Sequence, residues 1–126
     1  MDKIFITLYF QCYQIDFVID IHAHSSLNGS FIYGNTYEDV YRYERHLVFP
    51  KLLATTASDF LHENMIFNAD EKKLGSSRRY CCEHFGDTCN AYTLEVSMCG
   101  YYLKGTQILT QYTEDGCILF IYKIIY

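Results

Sequence analysis

The feature that most constrains the fold is a short apolar run that ends in two histidines. Residues 17–21 read Phe-Val-Ile-Asp-Ile and are rich in β-branched side chains. Such a run is typical of a central strand in a buried sheet. His22 and His24 follow, and they point to one face because successive side chains of a strand alternate. The run therefore predicts a sheet with imidazoles at the end of one strand.

The rest of the chain alternates strand-like and helix-like segments. Thr36 and Asp39 have the spacing of a capping box, which predicts a helix start. Pro50 should end or kink that helix. The predicted elements and loops, with the apolar stripe of the helix, are a strand over 31–33, a helix from 36 with Tyr37, Val40, Tyr41, Leu47 and Val48 on one stripe, a helical period over 52–61, a loop over 62–79, a strand over 91–96 and a turn over 113–116. This order predicts the α/β class, with site residues at strand ends.

Size and composition limit the classes of function. The chain has 126 residues, of which 50% are hydrophobic, so it forms one domain or a piece of one. A net charge of −5 argues against nucleic acid as the main partner. We also predict no membrane partner, because no apolar stretch of about 20 residues runs without interruption. Residues 4–13 fit a weak signal anchor or a buried strand, and the strand is favoured. Residues 117–126, also mostly apolar, are too short to span a bilayer.

The cysteines favour a reduced, cytoplasmic protein. The chain has six cysteines at irregular spacing, and Cys81 and Cys82 are adjacent, which is poor geometry for pairing with each other. Three disulfides remain the alternative. Cys81, Cys82, His84 and Cys89 resemble a metal cluster superficially, but their spacing matches no structural zinc motif.

Three features are candidates for chemistry. His22 has the side chain of a zinc ligand, and Asp20 either orients its ring or caps the strand. Glu95 interrupts an apolar strand, and a carboxylate there is costly to bury unless it is paired or functional. The alternative is an edge strand with Glu95 facing water.

The third feature is a cluster of positive charge, which is either an ordinary solvated loop or a subsite for an anionic substrate. It consists of Lys72, Lys73, Arg78 and Arg79.

Together these segments resemble the zinc metallocarboxypeptidases, in particular the C-terminal part of the catalytic domain in the cytosolic carboxypeptidase (tubulin deglutamylase) branch. The resemblance covers about residues 17 to 116. The matching segments are Asp20-Ile21-His22-Ala23-His24-Ser25, Phe31-Ile32-Tyr33-Gly34-Asn35, Phe49-Pro50-Lys51-Leu52-Leu53, Gly75-Ser76-Ser77-Arg78-Arg79 and Tyr92-Thr93-Leu94-Glu95-Val96-Ser97. It implies a partial carboxypeptidase domain over 1–126, with a mixed sheet flanked by helices.

The resemblance also implies roles for individual residues. His22 corresponds to the family's third zinc ligand, with His24 as a neighbour that does not bind the metal. Glu95 corresponds to the general base. Arg79, with Arg78 second, corresponds to the basic residue of the specificity pocket, which would suit a substrate that ends in glutamate.

Several family features have no counterpart in the sequence. No H-x-x-E motif, which carries the other two protein zinc ligands, precedes His22. His62 lies directly beside Glu63, at the wrong spacing and place. Residues 117–122, an apolar run, replace the helix expected after Gly116.

The functional expectation follows from the resemblance and from these departures. It is a zinc-dependent hydrolase that removes C-terminal or side-chain glutamates from tubulin-like acidic tails and is inactive as this isolated chain. The alternative is a pseudoenzyme fragment that binds acidic tails without catalysis. A third hypothesis is an unstable fragment without function.

Overall fold

The computed structural model describes residues 14–68 and 75–125 and confirms the α/β class. Helices and strands alternate along most of this part of the chain. The elements are β1 (Phe17–His24), β2 (Ser30–Asn35), α1 (Val40–Thr56), a single 3₁₀ turn (His62–Asn64), β3 (Ile66–Asn68), α2 (Ser77–His84), β4 (Asn90–Ser97), β5 (Tyr101–Tyr102), β6 (Leu109–Thr110) and α3 (Glu114–Ile125).

The described strands form a mixed sheet in the order β1-β4-β2-β3, with β5 and β6 as a separate small hairpin. β1 runs parallel to β4, and β2 runs antiparallel to β4 and parallel to β3. β4 therefore lies between β1 and β2. Its apolar positions, Tyr92 and Leu94, face one side of the sheet, and Thr93 and Glu95 face the other because side chains alternate.

The hydrophobic core covers the face of the sheet that carries Tyr92 and Leu94. Leu53 from α1 and Phe120 from α3 pack there, together with Ile32 of β2. All five side chains are at most 5% exposed. Full burial of one such side chain stabilises the fold by roughly 1.5–3 kcal/mol. α1 and α3 thus hold this face, which leaves the opposite face for polar groups.

Helix α1 begins later than the capping-box pattern predicts and does not end at Pro50. Asp39 is the N-cap residue, and its carboxylate accepts a hydrogen bond from the Arg42 amide at 2.7 Å. Pro50 has no N–H to donate to the carbonyl of His46, four residues earlier. The hydroxyl of Tyr92 donates to that carbonyl instead, at 2.7 Å. The helix therefore continues through the proline without leaving a buried acceptor unpaired.

The predicted apolar stripe of α1 is also wrong. Val40, Tyr41 and Val48 are exposed, at 64%, 84% and 52%. The buried side of the helix carries His46, Pro50 and Leu53 instead. A pattern search that counts histidine and proline as polar or helix-breaking misses this side.

The predicted loop over 62–79 contains regular structure. It includes the 3₁₀ turn, β3 and the beginning of α2. β3 extends the sheet by pairing with β2, as in the register Tyr33↔Ile66. A strand of only three residues is too short to give a periodic signal in the sequence. Lys72 and Lys73, the predicted loop cations, lie outside the described residues.

The C-terminal segment forms helix α3, and the prediction that an apolar run replaces a helix there is wrong. The Thr113 hydroxyl accepts a hydrogen bond from the Gly116 amide at 3.0 Å and caps the first turn. Glu114 and Asp115 lie in that turn and Lys123 in the last, which is the favourable order for the helix dipole. In the described part of the chain, the helices are too short or too polar to cross a membrane.

Candidate active site

His22 and Glu95 lie side by side at the carboxyl ends of two parallel strands. The register of β1 and β4 pairs His22 with Glu95 directly. The His22 Nδ1 atom lies 3.9 Å from the Glu95 Oε1 atom. Side chains paired in this way share one face of the sheet, and this face is opposite the core. An imidazole and a carboxylate at this spacing can bind one small ligand or exchange a proton through it.

Glu95 is held in a largely covered position. Its side chain is 15% exposed, and β4 has a strand on each side. On β2, Phe31 is the residue paired with Glu95. The alternative of an edge strand with Glu95 facing water is therefore wrong.

Asp20 contacts the other nitrogen of the same imidazole. The His22 Nε2 atom lies 2.9 Å from the Asp20 Oδ2 atom. Ser77, the first residue of α2, donates its hydroxyl hydrogen to the same carboxylate oxygen. Of the two alternatives for Asp20, the structure shows the carboxylate against the ring. The sequence did not predict this contact of Ser77, because the approach of α2 to β1 has no local signal.

His24 points to the same face but has different partners. Its Nδ1 atom accepts a hydrogen bond from the Leu27 amide at 3.3 Å, which stabilises the turn after β1. Its ring packs edge-on against Phe31, with 5.0 Å between the ring centroids. Its Nε2 atom is buried and has no hydrogen-bond partner among the residues that the structure describes.

Arg78 is buried under the polar face. The residue is 2% exposed, and its guanidinium donates to the Gly34 carbonyl and, at 2.6 Å, to the Asn35 side-chain oxygen. Burial lowers the pKa of Arg78 from its ordinary value, and the charge of Arg79 adds to this effect. These contacts attach α2 to the end of β2, so Arg78 stabilises the packing of the helix against the sheet.

Arg79 is half-buried and lines a cavity of about 290 Å³ between α2 and the beginning of α1. Arg42 and Cys82 line the same cavity, and the Arg42 guanidinium lies 3.2 Å from the Cys82 sulfur. His22 and Glu95 are not among the residues that line it. The structure therefore brings His22 and Glu95 together and places Arg79 in a separate cavity.

The described residues do not fit a complete catalytic zinc site. Such a site needs three protein ligands and a position open to water. Within residues 14–68 and 75–125, no group of three or more histidine, cysteine, aspartate or glutamate side chains is arranged to hold a metal ion. His22 offers one imidazole, and the carboxylates beside it do not complete a set.

Known proteins of similar sequence are carboxypeptidases by name. No protein-family model matches the sequence. The chain is 44% identical over 103 residues to human cytosolic carboxypeptidase 6, a match that covers 82% of the chain and 20% of the human protein. It is 39% identical over 88 residues to cytosolic carboxypeptidase 6 of Caenorhabditis elegans, with 66% of the chain and 18% of that protein covered.

The chain is a relative of the cytosolic carboxypeptidases. This confirms the predicted resemblance. The chain spans about one fifth of the length of the cytosolic carboxypeptidases named above. A putative zinc carboxypeptidase of Plasmodium falciparum is a more distant relative, 32% identical over 95 residues, with 72% of the chain and 6% of that protein covered.

A solved structure shows the same fold. A metallo-carboxypeptidase from Burkholderia cenocepacia superposes with a TM-score of 0.72 at 16% identity, which covers 93% of this chain and 30% of that one. The likeness confirms the predicted fold, a mixed sheet flanked by helices. The roles expected for His22, Glu95, Arg78 and Arg79 stay predictions.

Proposed function

We propose that this chain supplies His22 and Glu95 to the active site of a zinc-dependent carboxypeptidase. The observation that carries the proposal is the direct pairing of these residues across β1 and β4, with 3.9 Å between Nδ1 and Oε1. Two residues more than 70 positions apart in sequence meet at the end of a sheet, on a chain related to cytosolic carboxypeptidases. The family name carried by the relatives supports a cytosolic location for this chain as well.

Glu95 is the general base in this proposal. Its carboxylate would accept a proton from the attacking water and return it to the nitrogen of the leaving residue. The covered position of Glu95 limits competition from bulk water. His22 is a zinc ligand in this proposal, and the remaining ligands would come from outside the described residues.

The substrate class in this proposal is a protein tail that ends in glutamate or carries glutamate side chains, as tubulin does. Arg79 would pair with a substrate carboxylate, because a guanidinium can donate two parallel hydrogen bonds to it. Arg78 would support the site indirectly, because it donates a hydrogen bond to Asn35 at the end of β2. We further propose that the isolated chain does not hydrolyse such substrates.

The test uses a chimera in which residues 17–116 of this chain replace the matching segment of human cytosolic carboxypeptidase 6. Release of glutamate from a polyglutamate peptide is measured with zinc present. Glu95→Gln should lower the rate by about 10²–10⁴-fold, the usual contribution of a general base. Glu44→Gln, at an exposed position on α1, serves as the matched control.

The zinc content of the same proteins tests the role of His22. His22→Ala should lower the bound zinc of the chimera, whereas His62→Ala, at a side chain that is 70% exposed, should not. An active Glu95→Gln chimera would contradict the proposed role of Glu95. Unchanged zinc in His22→Ala would contradict the proposed role of His22.

One observation favours a second function, a pseudoenzyme fragment that binds acidic tails. The described residues lack a group of three metal-binding side chains. In that case the isolated chain binds a polyglutamate peptide without zinc and without releasing glutamate. Salt should weaken this binding because it screens the charges. Measurement of binding at low and high salt, with bound zinc assayed in parallel, separates the two functions.

A further inference from the structure

We propose that a second cavity, between the loop after α1, the hairpin β5–β6 and helix α3, binds a free amino acid with an apolar side chain. The cavity has a volume of about 220 Å³, and His22 and Glu95 are not among the residues that line it. Asp59 binds the ammonium group of the ligand in this proposal, and Lys123 binds its carboxylate. The inference is therefore independent of the proposed peptidase function.

One wall of the cavity carries a buried carboxylate. Asp59 is 5% exposed, and the Tyr112 hydroxyl donates a hydrogen bond to its Oδ2 atom at 2.7 Å. Burial and this hydrogen bond raise the pKa of Tyr112, so the phenol keeps its hydrogen and remains a donor. An ionised carboxylate has about four acceptor sites, and Tyr112 fills one of them. A buried carboxylate is costly unless other groups compensate its charge, so the site favours a ligand with a positive, hydrogen-donating group.

The main chain holds Asp59 in place before any ligand binds. Its carbonyl oxygen accepts a hydrogen bond from the Ser30 amide at 2.9 Å, and the Leu61 amide donates to the Ser30 carbonyl at 2.7 Å. These two bonds attach residues 59–61 to the beginning of β2. Gly29 has a φ of +83°, and a Cβ atom there would lie 2.8 Å from the Asp59 carbonyl oxygen. A ligand therefore meets a carboxylate on an ordered backbone, which lowers the entropic cost of binding.

Aromatic and apolar side chains form other walls of the cavity. The rings of Tyr101 and Tyr112 lie 5.1 Å apart between centroids, and α3 contributes Leu119 and Phe120. An ammonium group is attracted to the face of an aromatic ring, and an apolar side chain of the ligand can pack on the two residues of α3. Pockets for drug-sized molecules measure roughly 300–1,000 Å³, so this cavity suits a smaller ligand.

Lys123 distinguishes an amino acid from a simple amine as the ligand. It lies seven residues after Gly116 on α3, about 10 Å along the helix, and both residues line the cavity. Lys123 is exposed, and among the residues that the structure describes no ion pair joins it to Asp59. Its positive charge repels a simple amine and attracts the carboxylate of an amino acid. One acidic and one basic side chain on the same cavity therefore match a zwitterion.

The test is a titration of the ¹⁵N-labelled 126-residue chain with L-leucine at pH 7.5, followed by amide chemical shifts. A Kd of about 1 mM is realistic for a ligand of about nine non-hydrogen atoms, and the shifts should include the amides of Asp59 and Tyr112. Two analogues each lack one charge. 4-Methylpentanoate, without the ammonium group, should bind about tenfold more weakly or worse. 3-Methylbutylamine, without the carboxylate, should bind about two- to fivefold more weakly.

Variants at the two charged residues test their separate roles. Asp59→Asn keeps an acceptor for the Tyr112 hydroxyl and should weaken leucine binding about tenfold. Lys123→Met should weaken it about two- to fivefold and remove the preference for leucine over 3-methylbutylamine. Glu44→Gln and Lys51→Met, at exposed positions on α1, are the matched controls and should bind leucine like the unmodified chain. Amide spectra check the fold of each variant, and Lys123→Met carries the test if Asp59→Asn does not fold.

Three results would overturn the inference. One is the absence of shifts at about 10 mM leucine, tenfold above the expected Kd. Another is equal affinity for leucine and 4-methylpentanoate, since the ammonium group would then make no contribution. The third is an unchanged preference for leucine over 3-methylbutylamine in Lys123→Met. None of these measurements involves zinc or peptide hydrolysis, so their outcome is separate from that of the chimera experiment.

Discussion

Acidification should destabilise this protein through His46. The residue is fully buried, its Nε2 atom accepts a hydrogen bond from the Asn35 amide at 3.0 Å, and its ring stacks on Tyr92 at 4.3 Å. Burial lowers the pKa of His46 from its ordinary value of 6.5 to about 4; a hydrogen bond with Asn90 opposes the shift. The native protein therefore keeps this imidazole neutral at pH values where the unfolded chain protonates it.

The sign and size of the effect follow from proton linkage. Above pH 6.5 both states hold the ring neutral, and His46 adds no pH dependence. As the pH falls from 6.5 toward 4, the unfolded state binds a proton that the native state does not, so the free energy of unfolding decreases. At pH 5 the difference of 1.5 pH units corresponds to about 2 kcal/mol, at about 1.36 kcal/mol per unit.

The assay compares urea unfolding of the unmodified chain and His46→Gln between pH 7.5 and 5, followed by far-ultraviolet circular dichroism. Carboxylates titrate in both proteins, so the difference between the two curves isolates His46. The unmodified chain should lose about 2 kcal/mol more than the variant over this range. His62→Gln, at an exposed position, should follow the unmodified chain. Parallel curves for the unmodified chain and His46→Gln would refute the reasoning, and His46→Phe serves if the glutamine variant does not fold.

Two further predictions concern stability and use the same urea assay at pH 7.5. Leu53→Ala should lower the free energy of unfolding by about 2–5 kcal/mol because it opens a cavity in the core. Its neighbour Leu52, 58% exposed, should tolerate alanine within about 0.5 kcal/mol, and equal losses at the two positions would contradict the placement of α1. Arg78→Met should cost about 1–3 kcal/mol because it leaves the Gly34 carbonyl and the Asn35 oxygen buried without a donor. Arg78→Lys should not restore the loss, since one ammonium cannot reproduce the planar fork, and full restoration would count against the two-acceptor arrangement.

Strands β1 and β4 were predictable because their signals are local. Residues 17–21 and 91–96 are short apolar runs of the kind that form buried strands, and the structure extends them only to 17–24 and 90–97. The position of Glu95 within such a run marked it as unusual. Its meeting with His22 requires parallel pairing of β1 and β4 in one register, which the residues alone do not specify.

The errors have a common physical origin in tertiary contacts. The continuation of α1 through Pro50 depends on Tyr92, 42 positions later, and the formation of α3 depends on packing of Phe120 against the sheet. Arg78 looked like a surface cation because nothing adjacent in the sequence reveals its acceptors on β2. Packing overrides local propensity at each of these points.

The hydrogen bond between the Tyr92 hydroxyl and the His46 carbonyl makes positions 50 and 92 thermodynamically interdependent. With alanine at 50, the helix supplies its own N–H for that carbonyl, and the phenol becomes redundant. With phenylalanine at 92 and proline at 50, the buried carbonyl of His46 has neither of these two donors. The two positions are therefore energetically coupled, and the effect of a substitution at one depends on the residue at the other.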